Sequence, residues 1–209
     1  MLNNIAGLDP ASIFALLASF GLSLSAGVRA YLPVLALGIA SHFDGLGLHL
    51  RPGFEWIGSP AVIAVLAVLT IYEISADKIP VVDHLNDIVH TAIRPLSGAI
   101  LFVATSNTLT DNGTTGLVIA ALLGAGIAGT THVAKAAVVR PASTATTMGL
   151  ANPIVSLLED FLAAITILLA IVAPVIGAIL FVILAFVVIR GITLLIRRRR
   201  SNQTAIVTR

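Results

Sequence analysis

Apolar residues run along this chain in long blocks, separated by short polar stretches. A helix needs about twenty apolar residues to cross the hydrocarbon core of a bilayer, and the chain has room for about five to seven such blocks. The first block runs from Pro10 to His42. It is long for one crossing, and Gly21, Gly27, Arg29 and Pro33 interrupt it. A loop follows that holds Asp44, Arg51, Pro52 and an interfacial Trp56. The second block opens at Ser59-Pro60 and turns polar after Tyr72, at Glu73, Asp77 and Lys78, before Pro80.

The third segment has a different pattern. Val81 to Arg94 is amphipathic, and Pro95 to Thr105 is short and apolar. Together they predict one broken crossing, or a re-entrant piece followed by a half-helix. Asp111-Asn112-Gly113 signals a turn. Block four covers Gly116 to Val139, block five Pro153 to Val172 and block six Pro174 to Ile196. The pattern predicts an all-α membrane protein of about six transmembrane helices, broken or re-entrant near Pro80 and Pro95.

Composition strengthens this picture. Of 209 residues, 57% are hydrophobic and 11% charged, and mean hydropathy is +1.03. A soluble domain carries about a quarter charged residues, because much of its surface meets water. Residues 1–196 therefore read as a single transmembrane domain, and residues 197–209 as a basic cytoplasmic tail. Arg197 to Arg200 act as a cytoplasmic stop signal that can also touch anionic lipid. Six crossings then place both termini in the cytoplasm, with Lys78 and Arg140 at cytoplasmic turns and Arg51 in an outer loop. The N-terminus has no basic n-region or A-x-A site, so the first block is expected to stay as a span. With no cysteine, disulfides and thiolate metal sites are excluded.

The chain also matches itself. Pro95-Leu-Ser-Gly98-Ala-Ile-Leu-Phe-Val103 recurs as Pro174-Val-Ile-Gly177-Ala-Ile-Leu-Phe-Val182, and Gly21 to Val28 pairs more weakly with Gly126 to Val133. Two halves, 10–105 and 116–196, would each hold three spans. An odd number requires opposite insertion, the inverted-repeat plan of many secondary transporters. The alternative is chance, since apolar segments draw on few residue types. Gly21, Gly27, Gly124, Gly126 and Gly129 suit close helix packing, or else a hinge.

Ionisable residues fall inside or beside these blocks. Asp83, Asp87, His90 and Arg94 step by four, three and four, which is one helical stripe. Asp87-x-x-His90 can present two metal ligands from one face, and Glu159 is the candidate third, so a divalent ion is the candidate cofactor. Glu73 and Asp77 form a second pair, His132 and Lys135 share a face, and Arg29 and Glu159-Asp160 have long apolar flanks. Burying such groups uncompensated costs several kcal/mol apiece, so they are expected to meet and pair inside the bundle. Arg29 and Arg94 would neutralise carboxylates or hold an anionic substrate. The opposing reading lays residues 73–94 on the membrane surface, with the charges in water.

No Walker loop, G-x-S-x-G or H-E-x-x-H occurs. An ATP-driven pump and a serine or zinc protease are therefore disfavoured, an enzyme is less expected than a non-enzyme, and no nucleic-acid partner is expected. The leading expectation is a small secondary transporter or channel-like permease for an ion or small polar solute, bound by Arg29, Glu73, Asp77, Asp83, Asp87, His90, Arg94, His132, Lys135, Glu159 and Asp160. The alternatives are a lipid-active protein (a lipid transporter or an intramembrane enzyme working on a phosphate headgroup) and a structural subunit. A chain this small is expected to work as a homodimer or trimer in the bilayer.

The segment Gly21-Leu-Ser-Leu-Ser-Ala-Gly-Val-Arg29-Ala-Tyr-Leu-Pro33 resembles the opening of a bacterial integral-membrane domain family labelled only as a domain of unknown function. Asp83-His84 to Pro95, and Asn152-Pro153 with Glu159-Asp160, are similar to its later polar segments, and the likeness covers about residues 13–190. It implies a multi-pass protein of a bacterial inner membrane and supplies no activity.

Overall fold

Pro10–Val28 forms α1, Leu32–His42 α2, Pro60–Ala76 α3, Pro80–Thr105 α4, the single turn Asn107–Thr110 α5, Gly113–Ala134 α6 and Asn152–Val172 α7. The computed structural model describes residues 10–43, 50–77, 80–110, 113–136 and 152–174, with isolated positions beyond; the side chains of residues 80–85, 87, 108, 110, 152 and 153 fall outside this set. Among the described residues there is no strand. Four segments are long and apolar enough to cross a membrane: α1, Ile88–Thr105 of α4, α6, and Ile154–Val172 of α7. The sixth expected span, from Pro174, lies almost wholly outside the described residues.

Helix ends follow local chemistry. Ser59 Oγ accepts the Val62 N–H at 3.4 Å, and Pro60 follows it at the first helical position, where its missing N–H costs nothing. At the head of α6, Gly113 takes φ +70°, the left-handed region that glycine adopts cheaply. The helix starts there rather than at Gly116, while Asp111 and Asn112 of the expected turn lie outside the described residues.

α1 is the central helix. It packs on α4, α6 and α7. Ser19 Oγ lies 2.7 Å from Thr105 Oγ1, and Ser23 Oγ donates to the Gly98 carbonyl at 3.0 Å, so α1 and α4 are antiparallel. Gly98 of α4 meets Gly124 of α6 at a crossing so close that a Cβ on either would strike the other's carbonyl. Gly27 lies as tightly against Ala128 and Thr131. The packing expected of Gly21, Gly27 and Gly124 is present, but a Cβ on Gly126 would meet nothing within 4 Å. Val65, Val68 and Ile71 of α3, Leu122 of α6 and Phe161 and Leu162 of α7 turn outward, as lipid-facing side chains do.

The first expected span is in fact two helices. α1 makes its last backbone bond from Arg29 N to Ser25 O at 2.8 Å, and α2 its first from Leu35 N to Tyr31 O at 2.9 Å. Pro33 has no N–H to donate to the Arg29 carbonyl, so the ladder cannot run through. α2 then doubles back. Arg51 N reaches the Ala104 carbonyl at 2.9 Å near the far end of α4, and the Ile57 carbonyl lies against Gly38 of α2. Eleven residues give α2 a length of about 16 Å, short of a full crossing. α1 thus carries the chain from Pro10 at one end of the bundle to Arg29 near the other.

Pro95 does not break α4, which runs unbroken through it for 26 residues. Neighbouring helices can absorb the lost bond of a proline within a bundle, and Pro95 Cγ sits 3.5 Å from the Cβ position of Gly129 on α6. The break near Pro80 is present, because α3 ends at Ala76 and α4 begins at Pro80. The matched stretches in α1 and α6 do not show inversion. Both helices are antiparallel to α4, through the Ser23–Gly98 and Thr91–His132 contacts, so they run in the same direction.

Candidate functional site

The α1–α2 break, the end of α3, the first half of α4, the end of α6 and the start of α7 meet at one end of the bundle. Arg29 Nη1 binds Asp77 Oδ2, and its Nη2 lies 2.5 Å from Asp160 Oδ1 and donates to Ser156 Oγ at 3.0 Å. One fully buried guanidinium thus joins α3 to α7. Two carboxylates around an arginine form a pairing that desolvation demands, since a lone buried charge costs several kcal/mol. Asn86 Nδ2 donates to the second oxygen of Asp77 at 2.9 Å.

Glu73 caps the helix break. Its Oε1 accepts the Ala30 N–H at 2.9 Å and its Oε2 the Tyr31 N–H at 3.3 Å. Pro33 and the end of α1 expose these donors, and a carboxylate suits the N-terminal end of α2. His90 Nδ1 lies 3.4 Å and Arg94 Nη2 3.6 Å from Glu73 Oε1. The Tyr31 ring stands edge-on to His90 with centroids 5.4 Å apart.

On α6, His132 Nδ1 lies 2.5 Å from Arg94 Nη1. A guanidinium only donates, so Nδ1 accepts, Nε2 carries the proton, and His132 is neutral. Nε2 is then placed to donate to Thr91 Oγ1 at 3.3 Å. Lys135 Nζ lies 2.8 Å from Glu159 Oε2 and 3.6 Å from Asp77 Oδ2. The side chains of Glu159 and Asp160 are 12% and 18% exposed, against 5% or less for Arg29, Asp77 and Lys135. The least buried side of these contacts therefore lies along α7.

The expected site residues fall into two adjoining sets of contacts, Arg29 and Lys135 with Asp77, Glu159 and Asp160, and Glu73 with His90 and Arg94, which reaches His132; the charge of Arg94 acts on Asp77 and Lys135 across the two. The side chains of Asp83 and Asp87 lie outside the described residues. Asn86, His90, Arg94 and Ser97 of α4 are buried within the bundle, so the described part of this stripe, His90 and Arg94, is not the solvated face that the surface-helix reading expects. Of the expected metal trio Asp87, His90 and Glu159, the Asp87 side chain lies outside the described residues. His90 contacts Glu73, whereas Glu159 contacts Lys135, and no group of three or more His, Asp or Glu among the described residues could hold a metal ion.

The sequence reading missed Asn86, Ser156 and Tyr31 as members of the network. Asn86 lies four residues before His90 on one helical face, a spacing that could have found it. Ser156 and Tyr31 carry no comparable signal.

The chain belongs to the family described as Domain of unknown function (DUF4126), whose model matches residues 16–193. No curated protein and no solved structure matches it.

Proposed function

We propose that this protein is a small permease for an ion or small polar solute, and that the buried network at the end of its bundle is the solute site. One observation carries the reading. Charged and imidazole side chains from the ends of α1, α3 and α6 and from α4 and α7 gather in two adjoining, largely buried groups at one end of the bundle. A fold that needed only cohesion would be served as well by apolar packing, because replacing a buried ion pair with hydrophobic residues is often neutral or stabilising. Ionisable groups retained within membrane helices mark solute and ion paths. A broken helix whose N-terminal end meets a carboxylate at the site belongs to the same design.

In this reading the bundle lies in a bacterial inner membrane, with the cluster end and Arg197–Arg200 facing the cytoplasm. Two inverted halves are not needed. A homodimer or trimer would complete the pathway.

The test is flux through purified protein in liposomes, read with inside-loaded dyes for proton, potassium, sodium and chloride. The wild type should move at least one of these, and Glu159→Gln and Asp77→Asn should lose most of that flux while keeping the wild-type helical spectrum. No flux above empty liposomes, or wild-type rates in both variants, would overturn the reading.

A further inference from the structure

Of the three basic side chains in the cluster, Arg29 and Arg94 keep their charge under all ordinary conditions, whereas a buried lysine can release its proton. Lys135 is also the one shaped like a simple cation. Its ammonium is a compact point charge, held by Glu159 Oε2 at 2.8 Å and Asp77 Oδ2 at 3.6 Å. These two carboxylates come from different helices, α7 and the end of α3, and both lie against its ammonium. Among the described residues, charge or polarity gathers around this point from each neighbouring helix: Arg29 from the end of α1, Asp77 from the end of α3, Asn86 and Arg94 from α4, His132 from α6, and Glu159 and Asp160 from α7. The carboxylates favour the ammonium, while burial and the two guanidiniums oppose it.

We infer that Lys135 is a tethered stand-in for the transported solute, and that this solute is a monovalent cation which exchanges one for one with the lysine proton at Asp77 and Glu159. This rests on the permease reading and names its substrate class. The exchange balances: the ammonium gives one proton to water and becomes a neutral amine, and one monovalent cation takes its place between the same carboxylate oxygens. The charge of the cluster is unchanged, so Arg29 and its partners need not rearrange. A divalent ion would leave one positive charge in excess. Glu159, the more exposed of the two carboxylates, is the first that an entering cation meets.

The test is equilibrium binding of radiolabelled sodium, and of rubidium as a potassium analogue, to the purified full chain in detergent across a range of pH. Wild-type affinity should rise about tenfold per pH unit, as one-proton linkage requires, until the amine is neutral. Lys135→Gln should bind with no pH slope. Lys135→Arg should lose binding at every pH, because a guanidinium cannot be deprotonated. A purely structural lysine predicts the opposite order, with arginine tolerated and glutamine damaging. Thermal unfolding of each variant shows whether it is folded, and Glu159→Gln, which should weaken affinity at all pH values, gives a second readout. Cation binding by Lys135→Arg, or a tenfold slope that survives in Lys135→Gln, overturns the inference. So does a wild type that binds neither cation but carries chloride or another solute in liposomes, and that result leaves the permease reading standing.

Discussion

Arg94 Nη1 donates to His132 Nδ1 across the α4–α6 interface, which makes the imidazole an acceptor and leaves it uncharged. The position therefore demands an acceptor rather than a second cation. His132→Asn, with a side-chain oxygen in the place of Nδ1, should fold and unfold within a few degrees of wild type. His132→Lys sets like charges together in a buried site and should lower the melting temperature sharply or abolish expression. Fluorescence-detected size exclusion after heating measures both.

Arg29 holds carboxylates on two helices at once. Arg29→Ala leaves Asp77 and Asp160 without it and should destabilise the fold by about 3–5 kcal/mol. Adding Asp160→Asn to Arg29→Ala should recover part of that loss, because one uncompensated charge is gone. Thermal unfolding of the single and double variants in one detergent reads the difference; equal melting temperatures would refute the bridging role.

The α4–α6 crossing depends on two glycines. Gly124→Leu forces the Gly98 backbone away and should cost several kcal/mol or prevent folding. Gly126→Leu, two residues along the same helix, points into open space and should be tolerated. Comparing the yield of monodisperse protein from the two variants checks the packing face of α6.

The reversal at Arg29–Tyr31 has a topological consequence. Ala11 at the start of α1 and Thr114 at the start of α6 share one end of the bundle, and Ser75 near the end of α3 lies toward the other. The chain has no native cysteine, so single Ala11→Cys, Thr114→Cys and Ser75→Cys variants can be labelled cleanly in sealed vesicles. A membrane-impermeant maleimide should reach the first two from the same side. Labelling of Ala11→Cys from the Ser75 side would refute the hairpin.

The apolar blocks by themselves determined that this chain is an all-helical membrane protein, because a helix of apolar side chains with its backbone bonds satisfied internally is stable in lipid whatever its neighbours do. The sequence also named most of the cluster. A charge with long apolar flanks, such as Arg29 or Asp160, must find a partner in the fold, and the need for one is visible without knowing which. Only the tertiary structure decided who pairs with whom. Glu73 was legible as a carboxylate, but its role as the cap of the α1–α2 break depends on α3 lying beside Ala30 and Tyr31. Local rules marked both Pro33 and Pro95 as breaks. The helix ends before Pro33, where Glu73 takes up the freed N–H groups, and continues through Pro95, which packs against Gly129. The ionisable residues were legible because desolvation acts on each residue alone. Their pairing was not, because it depends on distances between segments far apart in the chain, and Lys135 between Asp77 and Glu159 is the pairing on which the proposed chemistry turns.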